Sequence, residues 1–394
     1  MKTSTILLAF IFTCLSAWAQ WEPQNSGTTH QLNSVYFIDT LNGWVSGGWS
    51  DSLAHGLILH TEDGGETWEE QYIGIGSGLL SCINFTNSSL GWAGTKYSGN
   101  LYRTVDGGIT WEKSELFEGL SYKICFSDSL NGWAIGSPNW YGNFYGGEIS
   151  HSNDGGITWE TQLLLDPQNG GLYSVFFIDS LNGWVSGGDV NGSTGFWDAF
   201  ILHTCDGGNS WTYQFEYNSR YGYILRDIWF TDTLHGWSVG GNGPYQRGVI
   251  LKTIDGGNNW DTSYYDTLSG TFGFKAVAFA DSFNGWAVAE NGRILSTSDG
   301  GNTWITNQSA TEQDLNCVYF TKNGHGWAVG DSGTILHADY SQIVGQEEFR
   351  CSGLKFDVRV YPNPFATSTT LSYILDKPEN VQFTVYNVQS QIVY

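Results

Sequence analysis

Six aspartates recur at one fixed place in a short motif, and their carboxylates are the first candidates for chemistry. The motif reads Thr or Ser, any residue, Asp, Gly, Gly, two further residues and Trp, as in Thr61 to Trp68. Carboxylates can bind Ca²⁺ or transfer protons. The Asp and Trp of each copy are Asp63 and Trp68, Asp106 and Trp111, Asp154 and Trp159, Asp206 and Trp211, Asp255 and Trp260, and Asp299 and Trp304.

A structural role explains this motif better than catalysis or metal binding. An Asp two residues after Thr or Ser can accept backbone N–H bonds in a tight turn, and the two glycines can adopt positive φ. The Trp then begins the next strand and covers the turn, burying about 150–250 Å². Functional sites seldom recur in every module of a repeat, so we predict no metal, no cofactor and no catalytic role for the motif.

A second motif recurs seven times and sets the period of the chain. It is Asn-Gly-Trp or a close variant, with a Phe seven residues before the Trp and a β-branched residue two before the Phe, as in Val35, Phe37 and Trp44. The spacing of two places that pair on one face of a strand. Successive Trp residues are 41 to 53 positions apart. A period near 45 with about four short strands per unit is typical of a β-propeller.

The two ends of the repeat fit together. Six Asp motifs accompany seven Asn-Gly-Trp units, and the last unit ends near Tyr340 without one. Trp21 precedes Phe37 by 16 residues, the same spacing as Trp304 and Phe320. We therefore predict an all-β chain whose residues 20–340 form a seven-bladed β-propeller, with the Trp21 strand completing the last blade.

Loops that vary between repeats are the predicted functional surface. The connections after the Asn-Gly-Trp strands, and those between units, should emerge on the face opposite the Asp motifs, and several are rich in aromatic residues. Surface loops of this kind bind ligands or partners. The predicted binding residues are Trp49, Trp140, Tyr141, Tyr145, Phe196, Trp197, Arg220, Tyr221, Tyr245 and Arg247.

Charge narrows the choice of partner. The formal net charge is −23, from 16 Lys and Arg against 39 Asp and Glu, which disfavours a nucleic-acid partner. We favour a non-enzymatic protein that binds a glycan or a protein. A glycoside hydrolase is the alternative, since Glu148, Asp189 and Asp198 lie in or beside the aromatic loops and paired carboxylates cleave glycosides.

The residues before and after the repeat predict whether the protein is exported and how the chain is divided there. Lys2, the apolar run 6–15 and Ala17-Trp18-Ala19 have the pattern of a signal peptide over 1–19, with no later transmembrane segment. Residues 341–355 are predicted to be a linker. Alternating apolar residues and a Pro-punctuated start predict part of a small β-sandwich over 356–394.

The Asp motif resembles the Asp-box, or BNR, repeat of sialidases and sortilin-type propellers, and we call it the Asp box. The fuller repeat is most similar to the photosystem II stability and assembly factor family. That resemblance implies the propeller fold and a third functional alternative, assembly of a membrane protein complex. Sialidases bind the carboxylate of their substrate with a cluster of arginines. This chain has only seven Arg and no Arg-Ile-Pro-like motif before the first Asp box, so sialidase activity is not expected.

The C-terminal segment resembles a different family. Tyr361-Pro-Asn-Pro-Phe365 and the strands after it are similar to the type A sorting domain of the type IX secretion system in Bacteroidetes-like bacteria, although the later strands of such a domain are missing here. The resemblance implies the secretion machinery as a partner, passage through the periplasm, and a secreted or cell-surface location.

Overall fold

A computed structural model describes the propeller region with gaps. The described ranges are 21–49, 55–71, 78–96, 99–114, 120–137, 146–165, 170–191, 196–219, 223–242, 247–266 and 273–341, with short strands at 10–11, 139–140, 143–144, 356–361, 370–375 and 385–386.

Seven four-stranded antiparallel sheets are arranged around a central channel, with the first strands of neighbouring blades in contact all the way round. This confirms the predicted seven-bladed β-propeller. In order from the channel outward, the strands are Gln31–Phe37, Gly43–Trp49, His55–Thr61 and Glu69–Gln71 in blade 1; Leu80–Phe85, Gly91–Thr95, Leu101–Thr104 and Glu112–Ser114 in blade 2; Leu120–Phe126, Gly132–Ser137, Glu148–Ser152 and Glu160–Leu164 in blade 3; Gly171–Phe177, Gly183–Asn191, Phe196–Thr204 and Thr212–Ser219 in blade 4; Ile224–Phe230, Gly236–Asn242, Arg247–Thr253 and Asp261–Tyr265 in blade 5; Phe274–Phe279, Gly285–Ala289, Ile294–Thr297 and Ile305–Asn307 in blade 6; and Leu315–Phe320, His325–Gly330, Ile335–Asp339 and Glu22–Gln24 in blade 7.

The short strands outside the blades form pairs. Asn139–Trp140 pairs with Asn143–Phe144 in the loop of blade 3, and Phe10–Ile11 pairs in parallel with Val385–Tyr386. Phe356–Tyr361 and Thr370–Leu375 form one antiparallel pair. The rest of the predicted sandwich, and the other residues of the predicted signal peptide and linker beyond Ser341, lie outside the described residues.

Aromatic rings from both repeat motifs pack the core between blades. The Trp of each Asn-Gly-Trp unit stacks on the Phe that precedes the Asn-Gly-Trp unit of the next blade, with ring centroids 3.4–3.7 Å apart at all seven junctions. Within each of blades 1 to 6, the Asp-box Trp and this Phe of the same blade pack edge to face, and in blade 7 Trp21 takes the place of the Asp-box Trp. The ring centroids of these pairs are 5.8–6.0 Å apart. Each blade therefore buries its apolar face against its neighbour.

The closing strand has the predicted position. Glu22 lies opposite His337, and Gln24 lies opposite Ile335. Trp21 is fully buried and touches Phe320. The N-terminal strand thus supplies the fourth strand that the chain does not otherwise provide for blade 7.

The Asn-Gly pair does not form a two-residue hairpin turn. In blade 1 the turn spans residues 38–42, where the Asp39 carboxylate accepts the N–H groups of Leu41 and Asn42. Gly43 is already in the second strand, and a Cβ there would lie 2.3 Å from the Phe37 ring. The glycine is needed because that ring lies over it.

The turns are sorted onto two faces of the ring. The Asp-box turns lie beside the turns between first and second strands, as shown by the bond from Gly64 N to Leu41 O of 2.9 Å. We call this side the box face, and the opposite side, with the other connections, the loop face. Glu22–Gln24 runs antiparallel to Ile335–Asp339, so Trp21 and Ser341 both lie at the box face.

We expect the Trp21→Ala variant to lose about 3–5 kcal/mol of unfolding free energy, because truncating a buried Trp leaves a cavity. Chemical denaturation followed by circular dichroism measures this loss. Ile109→Ala is the control, since Ile109 is 76% exposed and should stay within about 0.5 kcal/mol of wild type. Equal stability of both variants would contradict closure through Trp21.

Candidate functional site

Each Asp box uses both oxygens of its carboxylate within the turn. In blade 1, Asp63 Oδ1 accepts the Thr67 backbone N–H at 2.9 Å and the Thr61 hydroxyl at 2.8 Å, while Oδ2 accepts the Thr67 hydroxyl at 2.6 Å. Gly64 and Gly65 have φ of 75° and 92°, as the motif predicts. The backbone N–H bond recurs in the other five boxes. The side chain of the same residue donates to Oδ2 in each, as a hydroxyl in four boxes and as the Asn259 amide in blade 5.

Hydrogen bonding keeps these carboxylates ionised. The Thr67 hydroxyl and N–H, followed by the Thr61 hydroxyl, lower the pKa of Asp63 to about 2, and equivalent donors lower that of Asp106 and Asp206 equally. A carboxylic acid that transfers protons near neutral pH needs a raised pKa. The geometry therefore suits a turn held by charged hydrogen bonds.

Each Asp box also receives donors from the preceding blade. The carbonyl of its first glycine accepts the indole Nε1–H of the preceding blade's Trp, as Trp44 donates to Gly107 at 3.1 Å and Trp327 to Gly64 at 3.2 Å. A side chain from the preceding blade's fourth strand donates to the same atom in several boxes. Gln71 reaches Gly107 at 3.0 Å.

An ion pair crosses the central channel. Lys123 Nζ of blade 3 lies 2.8 Å from Asp227 Oδ1 of blade 5, and the Ser174 hydroxyl donates to the same oxygen at 2.7 Å. Asp227 Oδ2 accepts the Val277 N–H at 3.0 Å. Burial by itself lowers the pKa of Lys123, but the Asp227 carboxylate raises it above its ordinary value. This pair fixes the spacing of blades 3 and 5.

Aromatic side chains occupy the channel nearer the box face. Tyr36 and Tyr319 have ring centroids 4.9 Å apart, Tyr319 and Trp229 are 6.2 Å apart, and Trp229 and Phe176 are 5.2 Å apart. Burial raises the pKa of Tyr36 to about 12. These rings and the ion pair therefore line the channel, with the ion pair nearer the loop face.

The loop face of blades 5 and 6 is held by a second ion pair. Arg293 binds both oxygens of Asp266 at 2.7 and 2.8 Å, and its Nη2 also donates to the Tyr264 hydroxyl at 3.0 Å. The Gly248 N–H donates to Asp266 Oδ2. Bidentate pairs of this kind fix geometry as well as charge, so the adjoining strand Asp261–Tyr265 is held in place.

A cluster of tyrosines lies on the loop face where blades 4 and 5 meet. Tyr217 stacks on Tyr223 with ring centroids 5.0 Å apart, and the Arg247 guanidinium lies 6.0 Å from the Tyr265 ring centroid. Tyr217 is 42% exposed and Tyr265 is 40% exposed. Burial raises the pKa of Tyr223, and the neighbouring Tyr217 and Tyr265 raise it further. We call these four residues the tyrosine groove.

The predicted loop residues fall into four groups. Trp49 lies between two imidazoles, with ring centroids 4.1 Å from His30 and 4.7 Å from His55, so both faces of its indole are covered. Arg247 belongs to the tyrosine groove. Backbone positions place Phe196 and Trp197 in the third strand of blade 4 and Trp140 in the blade 3 loop. Outside the described residues lie Tyr141, Tyr145, Arg220, Tyr221 and Tyr245.

Sequence reasoning missed Tyr265. Loop insertions were the sequence signal for binding residues, whereas this side chain lies in the fourth strand of blade 5 and is exposed because it is at the end of that strand. An aromatic residue at the loop-face end of an outer strand is the signal that could have identified it.

The three carboxylates considered for glycoside hydrolysis are placed as follows. Asp189 and Asp198 are cross-strand partners in blade 4. Glu148 of blade 3 accepts the Ser150 hydroxyl at 3.1 Å and the Thr161 hydroxyl at 2.7 Å. Two of these residues are therefore cross-strand neighbours in the backbone of one sheet, and the third lies in another blade.

In the described part of the chain, no group of three or more His, Cys, Asp or Glu side chains is placed to hold a metal ion. The described residues also contain no helix with the length and apolar character needed to cross a membrane.

Comparison with known proteins confirms the resemblance of the repeat. The family model for photosynthesis system II assembly factor YCF48 matches residues 213–304 and 262–341. No curated protein matches this chain.

Solved structures with the same fold include two of that family. "YCF48 bound to D1 peptide" is 20% identical with a TM-score of 0.61, covering 82% of this chain and 97% of that chain. YCF48 from Cyanidioschyzon merolae is 22% identical with a TM-score of 0.58, covering 81% and 99%. The WD40 propeller domain of Doa1 is 10% identical with a TM-score of 0.58, covering 82% and 97%. At these identities the likeness shows the shared fold.

We expect Asp63→Asn to lower the melting temperature by a few degrees at pH 7 and to have a shrinking effect as pH falls. The folded-state pKa of Asp63, about 2, lies below its ordinary value of 3.8, so the stability that the carboxylate provides is present above pH 4 and is lost towards pH 2. Calorimetry at pH 7, 4 and 2.5 measures this trend. Glu66→Gln, exposed in the same turn, is the control. An effect of Asp63→Asn that is constant with pH would contradict the assignment.

Proposed function

We propose that this protein is a non-catalytic propeller that binds a polypeptide segment of another protein at its loop face. The observation that carries the proposal is the tyrosine groove, in which the exposed side chains of Tyr217 and Tyr265 flank the buried Tyr223 and Arg247 lies over Tyr265. Exposed Tyr beside Arg is the composition enriched in protein interfaces.

The channel supports the same choice. A propeller enzyme or small-molecule binder commonly uses a deep pocket with convergent polar groups. Here Lys123 and Asp227 are paired with each other, and aromatic rings such as Tyr319 and Trp229 line the channel below them. A polypeptide lying across the outer part of the loop face needs no such pocket.

The comparisons favour a polypeptide over a glycan. One similar structure is that of YCF48 bound to a D1 peptide, and the family model is that of an assembly factor. We infer by analogy that this chain holds a segment of a client protein during assembly of a larger complex. A glycan ligand is the competing outcome.

We expect peptides selected from a phage-displayed library against the full chain to bind at least tenfold more weakly to the Tyr217→Ala, Tyr265→Ala double variant, measured by biolayer interferometry. Tyr213→Ala is the matched control, because Tyr213 is 46% exposed on the same strand as Tyr217 but contacts Phe200. Peptides that bind all proteins alike would contradict the site. Glycan-array binding without any peptide selection would contradict the choice of ligand.

We also propose that the protein is exported, with its leader cleaved before Gln20 and its C-terminal segment recognised by type IX secretion machinery. The signal-peptide pattern over 1–19 and the Tyr361–Phe365 motif support this route. Expressed in a Bacteroidetes host, the protein should appear at the cell surface or in the medium with Gln20 as its first residue. Deletion of residues 356–394 should retain it in the periplasm. N-terminal sequencing of each fraction tests both points, and unprocessed cytoplasmic protein would contradict them.

A further inference from the structure

The outer strand of blade 4 has the longest open edge of the propeller's described strands. It runs over Thr212–Ser219, whereas the outer strands of the other blades have three to five residues. Its inner side pairs with Phe196–Thr204, and no described strand pairs with its outer side. An unpaired edge presents N–H and C=O groups that can pair with another extended chain.

A bulge at Gln214 does not interrupt most of this edge. Five consecutive cross-strand pairs follow it, from Ile201–Phe215 to Trp197–Ser219. In blades 3 and 5 the corresponding bulge leaves two pairs. Five residues of strand extend about 17 Å, which is long enough for a regular ladder with an added strand.

Beyond its bulge, the edge lacks two of the features by which sheets block pairing, Lys and Pro. Natural edge strands are shortened, or carry Lys or Pro. Residues 215–219 contain neither Lys nor Pro, and their one charge is the exposed Glu216. The long edge is therefore open to an additional strand rather than protected from one.

The surroundings of the edge indicate which segment it fits. Phe215 packs against the core between blades 4 and 5, and Tyr217 of the tyrosine groove lies two residues further along the same strand. An added strand would therefore lie next to the groove. The net charge of −23 and the exposed Glu216 disfavour an acidic segment.

We propose that an extended, neutral or basic segment of a partner protein adds to this edge as a fifth strand of blade 4. The proposal rests on the proposed function and names how the polypeptide is held. Main-chain hydrogen bonds supply the binding in this mode, and pockets for alternate side chains supply the selectivity. The tyrosine groove is the neighbouring surface for those side chains.

Hydrogen exchange on the full chain tests the edge directly. The probe is a short synthetic peptide in which Thr and Val alternate between terminal lysines. With this peptide, about half of the amides of residues 212–219 should exchange at least tenfold more slowly, since alternate N–H groups of a strand point to its open side. Unchanged exchange at 212–219 with the peptide bound would overturn the proposal.

Modified peptides test the hydrogen-bonding mode and the charge. Only alternate N–H groups of an added strand face the edge. N-methylation of the odd-numbered residues in one peptide and of the even-numbered residues in a second should therefore abolish the binding of one peptide and leave the binding of the other unchanged. Equal binding of the two peptides would overturn strand addition. Replacing the terminal lysines by Glu should weaken binding at least tenfold, and an equal affinity would overturn the predicted charge.

Two comparisons separate this inference from the proposed function and from self-association. Tyr217→Ala removes a groove side chain but keeps the backbone edge, so the protection of 212–219 should persist even if the library peptides no longer bind. Loss of that protection in Tyr217→Ala would overturn the backbone mode. Protection that arises without peptide and increases with protein concentration would show a second copy of this chain at the edge, and would overturn the proposed occupant.

Discussion

The contact between one blade's Trp and the next blade is the interaction on which the propeller depends. The indole of Trp44 stacks on Phe85 and donates its N–H to Gly107 O, so one side chain satisfies both apolar packing and a buried polar group. The stack recurs at every junction, and the hydrogen bond recurs wherever the next blade has an Asp box. The turn must therefore keep its glycine carbonyl in place, which explains why the box carboxylate is committed to hydrogen bonds inside its own turn.

The junction between blades 6 and 7 shows what happens where the box is missing. Trp286 still stacks on Phe320, but blade 7 has no Asp box and so no Asp-box glycine whose carbonyl could accept the indole N–H. Tyr340 lies against Trp286 instead, with ring centroids 4.8 Å apart, and Trp21 meets the edge of Phe320. Two residues distant in sequence thus replace a local motif, and the closing strand is held without a covalent connection to its blade.

The fold could be predicted from sequence because each blade repeats the same contacting residues at the same spacing; even Trp21 was recognisable from its distance to Phe37. The side-chain contacts in the channel could not be predicted, because Lys123 and Asp227 come from different blades and no local sequence pattern connects them. For the candidate site, aromatic loop content predicted Arg247 of the tyrosine groove. Tyr265 depends on where an outer strand ends, and Trp49 is covered by imidazoles that its own sequence neighbourhood does not reveal.

Both ends of the ring, Trp21 and Ser341, lie on the box face, and this has a mechanical consequence. Tension that draws these ends apart would peel the three pairs of Glu22–Gln24 from the neighbouring strand one after another, starting at the end where both chains leave the sheet. In a molecule attached only through Ser341, the force would instead act on the strand Ile335–Asp339 and not on the closing strand. The closing strand is therefore less easily pulled from its blade when the force acts through one end of the ring than when it acts between the two ends.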